Sequence, residues 1–153
     1  MGKSIQWRPR NEKQPRSYGE TVHYGGRRDG GRAYLAHSDR VGPGVLVIGE
    51  SGRELADALA ADGFTVLVPE PTGENLPARM TAAADFLRDN WHPRVGVVGI
   101  GSRAALAADL AARISLDALV LSEELDVDAR CPVEIIADGS VEEMCDFFHH
   151  HLA

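Results

Sequence analysis

The sequence predicts an α/β fold in which an N-terminal β-hairpin is followed by a mostly parallel sheet with helices on both faces. Two observations carry that prediction. From residue 45 onward, short runs of consecutive Val, Leu and Ile alternate with stretches of helical periodicity. That is the pattern of strands buried on both faces and joined by crossover helices. Ahead of them stand two β-prone runs separated by the turn-rich Gly25-Gly26-Arg27-Arg28-Asp29-Gly30-Gly31, which reads as an antiparallel hairpin.

Taken in order, residues 1 to 17 read as a basic arm ahead of a domain spanning residues 18 to 153. The arm holds Pro9, Pro15 and five Lys/Arg with almost no apolar period. Ile5 and Trp7 are its apolar anchors, and Arg8, Arg10, Lys13 and Arg16 are expected to contact a partner. The hairpin strands are Glu20 to Tyr24 and Arg32 to His37. Val45 to Gly49 is the first buried strand, followed by a helix near Arg53 to Asp62. Thr65 to Pro69 is a strand, Glu70 to Leu76 a loop, and Pro77 to Trp91 a helix with proline at its first position, where the missing N–H costs nothing. Arg94 to Gly99 is a strand and Ser102 to Ile114 a helix. Strands at Ala118 to Leu121 and Val133 to Ala137 precede a last helix over Val141 to Leu152.

A chain of 153 residues with 44% hydrophobic content can bury one substantial core without disulfides or a structural metal. It contains no apolar run of about 18 residues and no apolar stretch at its start, so neither a spanning helix nor a secretory signal is expected and the cytoplasm is the expected compartment. Cys131 and Cys145 have no C-x-x-C spacing and no His or Cys cluster, so both read as reduced thiols and no metal site is expected. Gly96, Gly99 and Gly101 do not meet the dinucleotide fingerprint, and no cofactor is expected. Arginine and alanine are abundant while Lys3 and Lys13 are the only lysines, which suggests a GC-rich bacterial genome.

The net charge of −7 is unevenly placed. Residues 1 to 40 carry nine Lys/Arg against four Asp/Glu, or +5, and residues 41 to 153 carry seven against nineteen, or −12. A basic arm on an acidic body favours docking on a protein partner or a second copy. It argues against nucleic acid, whose phosphates the body would repel.

Three stretches then bear on family. They are Gly42-Pro43-Gly44-Val45-Leu46-Val47-Ile48-Gly49-Glu50, the run from Leu55 to Pro69, and Arg94-Val95-Gly96-Val97-Val98-Gly99-Ile100-Gly101, with Ala33-Tyr34-Leu35-Ala36 before them. In order and spacing they resemble the dienelactone-hydrolase branch of the α/β-hydrolase superfamily over roughly residues 18 to 138. The resemblance implies a truncated member, since the family histidine lies beyond a further strand that has no match here. It also implies a nucleophile, usually Cys and sometimes Ser, at the centre of G-x-C/S-x-G on a strand-to-helix turn. The matching turn is Gly99-Ile100-Gly101-Ser102-Arg103, so Gly101 stands at the nucleophile position and Arg103 replaces the last glycine.

Glycine has no side chain with which to attack a carbonyl. Ser102, one place later, reads as a helix N-cap or as a shifted nucleophile. Glu50 matches the family glutamate that contacts the nucleophile; it reads either as a cap or partner of Arg53, or as a base at the sheet edge where ligands of open α/β sheets bind. Asp138 lies near the expected acid, and Glu70 and Asp138 are expected at the same edge. His149, His150 and His151 are consecutive on a helix and should point in different directions, favouring the helix dipole rather than a site. The expectation is a hydrolase-like domain without a hydrolytic nucleophile, serving as an accessory subunit of a complex or homo-oligomer. The alternatives are a small non-hydrolytic enzyme or ligand-binding protein using Glu50 for proton transfer or cyclisation, and a weak esterase acting through Ser102.

Overall fold

The computed structural model describes residues 17–26, 30–49, 52–70 and 75–152. Among these, seven strands make one sheet: β1 (Ser17–Tyr24), β2 (Gly31–Ser38), β3 (Gly44–Ile48), β4 (Thr65–Pro69), β5 (Val95–Gly99), β6 (Ala118–Leu121) and β7 (Val133–Ile135). The helices are α1 (Gly52–Ala61), α2 (Leu76–Asn90), α3 (Ala104–Arg113) and α4 (Val141–Leu152).

The strand order is β1-β2-β4-β3-β5-β6-β7. Strands β1 and β2 pair antiparallel in register Ser17↔Ser38 to Tyr24↔Gly31, and β2 pairs antiparallel with β4. Every pairing from β4 to β7 is parallel. The apolar runs dictate this arrangement. All residues of β3, β5 and β6 are buried, as strands covered on both faces must be.

Alternate residues of these strands feed two cores. On one face Leu46, Val97, Leu119 and Leu121 pack with Met80 and Leu87 of α2 and Ala107 and Leu110 of α3. On the other face Val45, Val47, Val98 and Val120 pack with Leu59 of α1 and Met144, Phe148 and Leu152 of α4. Phe64 and Phe148 meet edge to face, with ring centroids 5.9 Å apart. Each such fully buried side chain contributes about 1.5–3 kcal/mol by removal from water. Among the described residues no helix is long and apolar enough to cross a membrane.

The expected elements are all present, with three boundaries shifted by two residues or more. Strand β1 begins at Ser17 rather than Glu20, because its ladder with β2 continues to Ser38. Strand β7 stops at Ile135, where the Gly139 N–H bonds back to the Ile136 carbonyl and turns the chain into α4. The helix expected from Ser102 begins at Ala104, behind a single 3-10 turn at Gly101–Arg103. Residues 1–16, including Ile5, Trp7, Arg8, Arg10, Lys13 and Arg16, lie outside the described residues, as does Glu50.

Candidate functional site

The C-terminal ends of the parallel strands converge on the turn between β5 and α3. Ile100 is extended, with φ −123° and ψ 136°, and Gly101 is left-handed at φ +60°. A side-chain-bearing residue pays about 1–2 kcal/mol in that conformation, and glycine does not. A Cβ at Gly101 would meet no heavy atom within 4 Å, so the position faces open space. The turn is held by hydrogen bonds on both sides: Ile100 N–H donates to the Ile48 carbonyl at 2.9 Å, and Gly101 N–H donates to Ser122 Oγ at 2.9 Å.

Close packing of α3 on the strand comes from β5 itself. A Cβ at Gly99 would stand 2.5 Å from Ala107 Cβ and 3.0 Å from Ala104 Cα. Gly99 and the two alanines therefore let α3 approach β5 closely.

Ser122 was not singled out from sequence. It is the first polar residue after the apolar run of β6, and the strand order sets it beside the elbow. Ser102 is exposed in the middle of the 3-10 turn, and neither that turn nor α3 receives a side-chain cap. The expected N-cap role is thus corrected: the intervening turn moves the helix start two residues beyond Ser102.

Two clefts flank the first turn of α1, the first of them beside the elbow. One, of about 480 Å3, lies between the first turns of α1 and α4, walled by Leu55, Ile100, Val141 and Met144 with Glu54, Ser122 and Asp138 among its polar groups. The other, of about 610 Å3, includes Tyr34, Gly49, Arg53, Glu54 and Glu70. There the Arg53 guanidinium lies 4.8 Å from the centre of the Tyr34 ring, and Tyr34 O–H donates to Asp57 at 2.6 Å. That hydrogen bond to a carboxylate, with partial burial, raises the Tyr34 phenol above its ordinary range.

A left-handed residue thus sits on the β5-to-α3 turn, in a sheet whose first two strands form an antiparallel hairpin. The chain has an α/β-hydrolase-like fold, the fold of solved dienelactone hydrolases and esterases. It is similar to the dienelactone hydrolase from Anabaena variabilis ATCC 29413, at 15% identity and TM-score 0.65 over 92% of this chain and 100% of that one. It is likewise similar to a dienelactone hydrolase-like promiscuous phosphotriesterase, P91, from metagenomic libraries, at 17% identity and TM-score 0.66 over 89% of this chain and 78% of that one. A hyperthermophilic esterase from the archaeon Pyrobaculum calidifontis matches 70% of this chain at 20% identity and TM-score 0.58, and the match spans 45% of that enzyme. No family model and no curated protein matches the sequence.

Within this hydrolase fold the remaining polar candidates can be placed. Asp138 follows β7, but its Oδ1 accepts the Ser140 N–H at 3.0 Å. Ser140 Oγ in turn accepts the Glu143 N–H at 3.3 Å, so Asp138 belongs to the capped start of α4. Glu70 pairs with Arg32 at 3.0 Å. Strands β4 and β7 are four places apart in the sheet, about 19 Å at the usual strand spacing, so Glu70 and Asp138 share an edge without sharing a site. Among the described residues no three His, Cys, Asp or Glu side chains gather as a metal site would require.

All six histidines fall within the described residues, and none belongs to the elbow. His23 is on β1, four strands from β5 and about 19 Å away at the usual spacing. His37 stacks on Trp91, with ring centroids 5.9 Å apart, and His92 Nδ1 accepts the Arg94 N–H ahead of β5. Helix α4 starts at the elbow end of the sheet and carries His149, His150 and His151 to the far end. They disperse there as helical geometry requires: His149 Nε2 meets Asp62 Oδ2 at 2.6 Å, and His151 packs edge to face on Phe147. Cys145 also bonds to Asp62, and burial together with that carboxylate pushes its thiol up to about 12. A thiol so perturbed stays protonated at neutral pH and is a poor nucleophile. Cys131 is free as well, and burial raises it too.

Proposed function

We propose that this chain is a hydrolase-fold protein that has left hydrolysis and acts as an accessory subunit, docking on a protein partner or a second copy through its basic arm. The observation that carries the reading is the elbow. Its left-handed backbone is kept at Gly101, yet the residue there has no side chain and no histidine stands within reach of it. Covalent acyl transfer needs both a nucleophile and a base to activate it. Fold alone supplies neither, since one scaffold hosts many activities. The charge division supports the docking half: a basic N-terminal segment precedes a body with net charge −12.

The test has two parts. Purified full-length chain is assayed against p-nitrophenyl acetate and labelled with a fluorophosphonate; no turnover and no adduct at Ser102 or Ser122 is the expected outcome, and sustained hydrolysis would overturn the reading. Affinity capture from native lysate then compares the full chain with one lacking residues 1–16. A stoichiometric protein lost on truncation supports the accessory role, and identical captures from both chains would remove the arm from it.

A second reading is favoured by the two clefts, whose volumes fall in the range of small-molecule sites. In it, Glu50, which follows Gly49 after β3 in the sequence, serves as a base for proton transfer or cyclisation. Binding of a small ligand that is lost, or turnover that is abolished, in Glu50→Gln would favour this reading over the accessory one.

A further inference from the structure

Among the described residues strand β7 is one edge of the sheet and pairs only with β6. Its register sets Val133 beside Leu119 and Ile135 beside Leu121, on the face covered by α2 and α3, and Glu134 beside Val120 on the opposite face. Val133 and Ile135 are each 39% exposed, among the few large apolar side chains left open. An edge of this kind offers unpaired backbone groups and an apolar strip to another strand.

The loop into that edge fixes the charge of what it would accept. Glu123, Glu124, Asp126 and Asp128 are exposed, and with Glu134 they outnumber the single Arg130 by four charges. Among the described residues none of these carboxylates has a cationic partner. Two β7 edges cannot pair comfortably with each other, because these loops and the two Glu134 side chains would be brought together.

The same chain carries a complementary segment. Residues 1–16 hold five Lys/Arg against Glu12, a net of +4. Within it Ile5-Gln6-Trp7-Arg8 alternates with a period of two, so a strand placing Ile5 and Trp7 beside Val133 and Ile135 places Gln6 and Arg8 on the face of Glu134. We infer that this chain forms a two-fold dimer in which each copy's basic arm adds to the β7 edge of the other copy. The arm's own edge is a poor target. Ser17 begins β1 at the other side of the sheet, six strand spacings or about 29 Å away, and the ten residues from Trp7 reach at most about 36 Å. Almost all of that length would be used in passing beneath the sheet, whereas a second copy sets its own distance. Reciprocal exchange also closes the assembly at two copies instead of leaving an open chain.

The inference rests on the reading of the arm as a docking element and names its occupant. Sedimentation velocity on the full chain, at about 50 mM and about 500 mM salt, is the measurement. The expected species at low salt has twice the 16.5 kDa chain mass and weakens at least about tenfold at high salt. Trp7→Asp and Ile135→Lys should each give monomers, and mixing the two should restore a heterodimer, since one copy supplies an intact edge and the other an intact arm. Ile135 is 39% exposed, and circular dichroism of each monomer checks that the fold is kept. A monomeric full chain, or a dimer that survives both substitutions, overturns the inference. A monomer that still captures a different protein through residues 1–16 would sink the exchange and leave the accessory role standing.

Discussion

Replacing Gly101 with cysteine probes the elbow directly. The backbone there is left-handed, and an L-residue held at φ +60° costs about 1–2 kcal/mol. Against that, a side chain restricts the unfolded chain and returns about 0.4–1 kcal/mol. No heavy atom stands within 4 Å of the new Cβ, so the further loss from overpacking does not apply. The net expectation is about 1 kcal/mol of destabilisation, or about 2–4 °C in Tm for a domain of this size. Urea unfolding should show a lower midpoint with an unchanged slope. The new thiol should react with iodoacetamide faster than Cys145, which is buried and bonded to Asp62. It should not sustain ester turnover, because no histidine is placed to activate it. A stability loss above about 3 kcal/mol would mean the space at Gly101 is occupied, beyond what strain in the left-handed region explains. Multiple-turnover hydrolysis by the variant would mean that a base stands at the elbow after all.

Three further outcomes follow from the same geometry. Gly99→Ala puts a methyl group 2.5 Å from Ala107 Cβ, and overpacking should cost about 1–3 kcal/mol in urea unfolding; a neutral result would contradict the close approach of α3. Ser140→Ala removes the acceptor for the Glu143 N–H and should cost about 1 kcal/mol, with no loss implying that α4 is capped otherwise. For Cys145 the folded thiol titrates near 12 against an ordinary value of 9.0. Stability from this group is therefore intact below pH 9 and declines as the pH rises from there toward about 12, as the unfolded chain alone loses the proton. Cys145→Ala should flatten that decline, and parallel curves for the two proteins would refute the buried thiol.

Much of the scaffold was legible because its signals are local. Val45-Leu46-Val47-Ile48 and Ala118-Leu119-Val120-Leu121 are apolar at every position, which only strands covered on both faces require. The missing side chain at Gly101 was legible for the same reason, since a residue's identity is local information. The start of α3 was not. Ser102 looks like a cap in sequence, but the 3-10 turn that displaces it lies where Ile100 and Gly101 bond to Ile48 of β3 and to Ser122 after β6, which are distant in the chain. Ser122 was missed on the same account: nothing beside it in sequence marks it, and its contact with Gly101 exists only because β5 and β6 are neighbours.

The sequence by itself determined the order and type of the elements, the glycine at residue 101 and the split between a basic first forty residues and an acidic remainder. These depend on side-chain chemistry and on periods of two or 3.6 residues, which are written along the chain. Only the tertiary structure decided which polar groups meet. It separated Glu70 from Asp138 by the width of four strands, committed Asp138 to the start of α4, and carried the three C-terminal histidines to the far end of the sheet. The reason is that strand order, not sequence distance, sets neighbours in a parallel sheet, and each crossover helix reverses the direction of travel before the next strand begins.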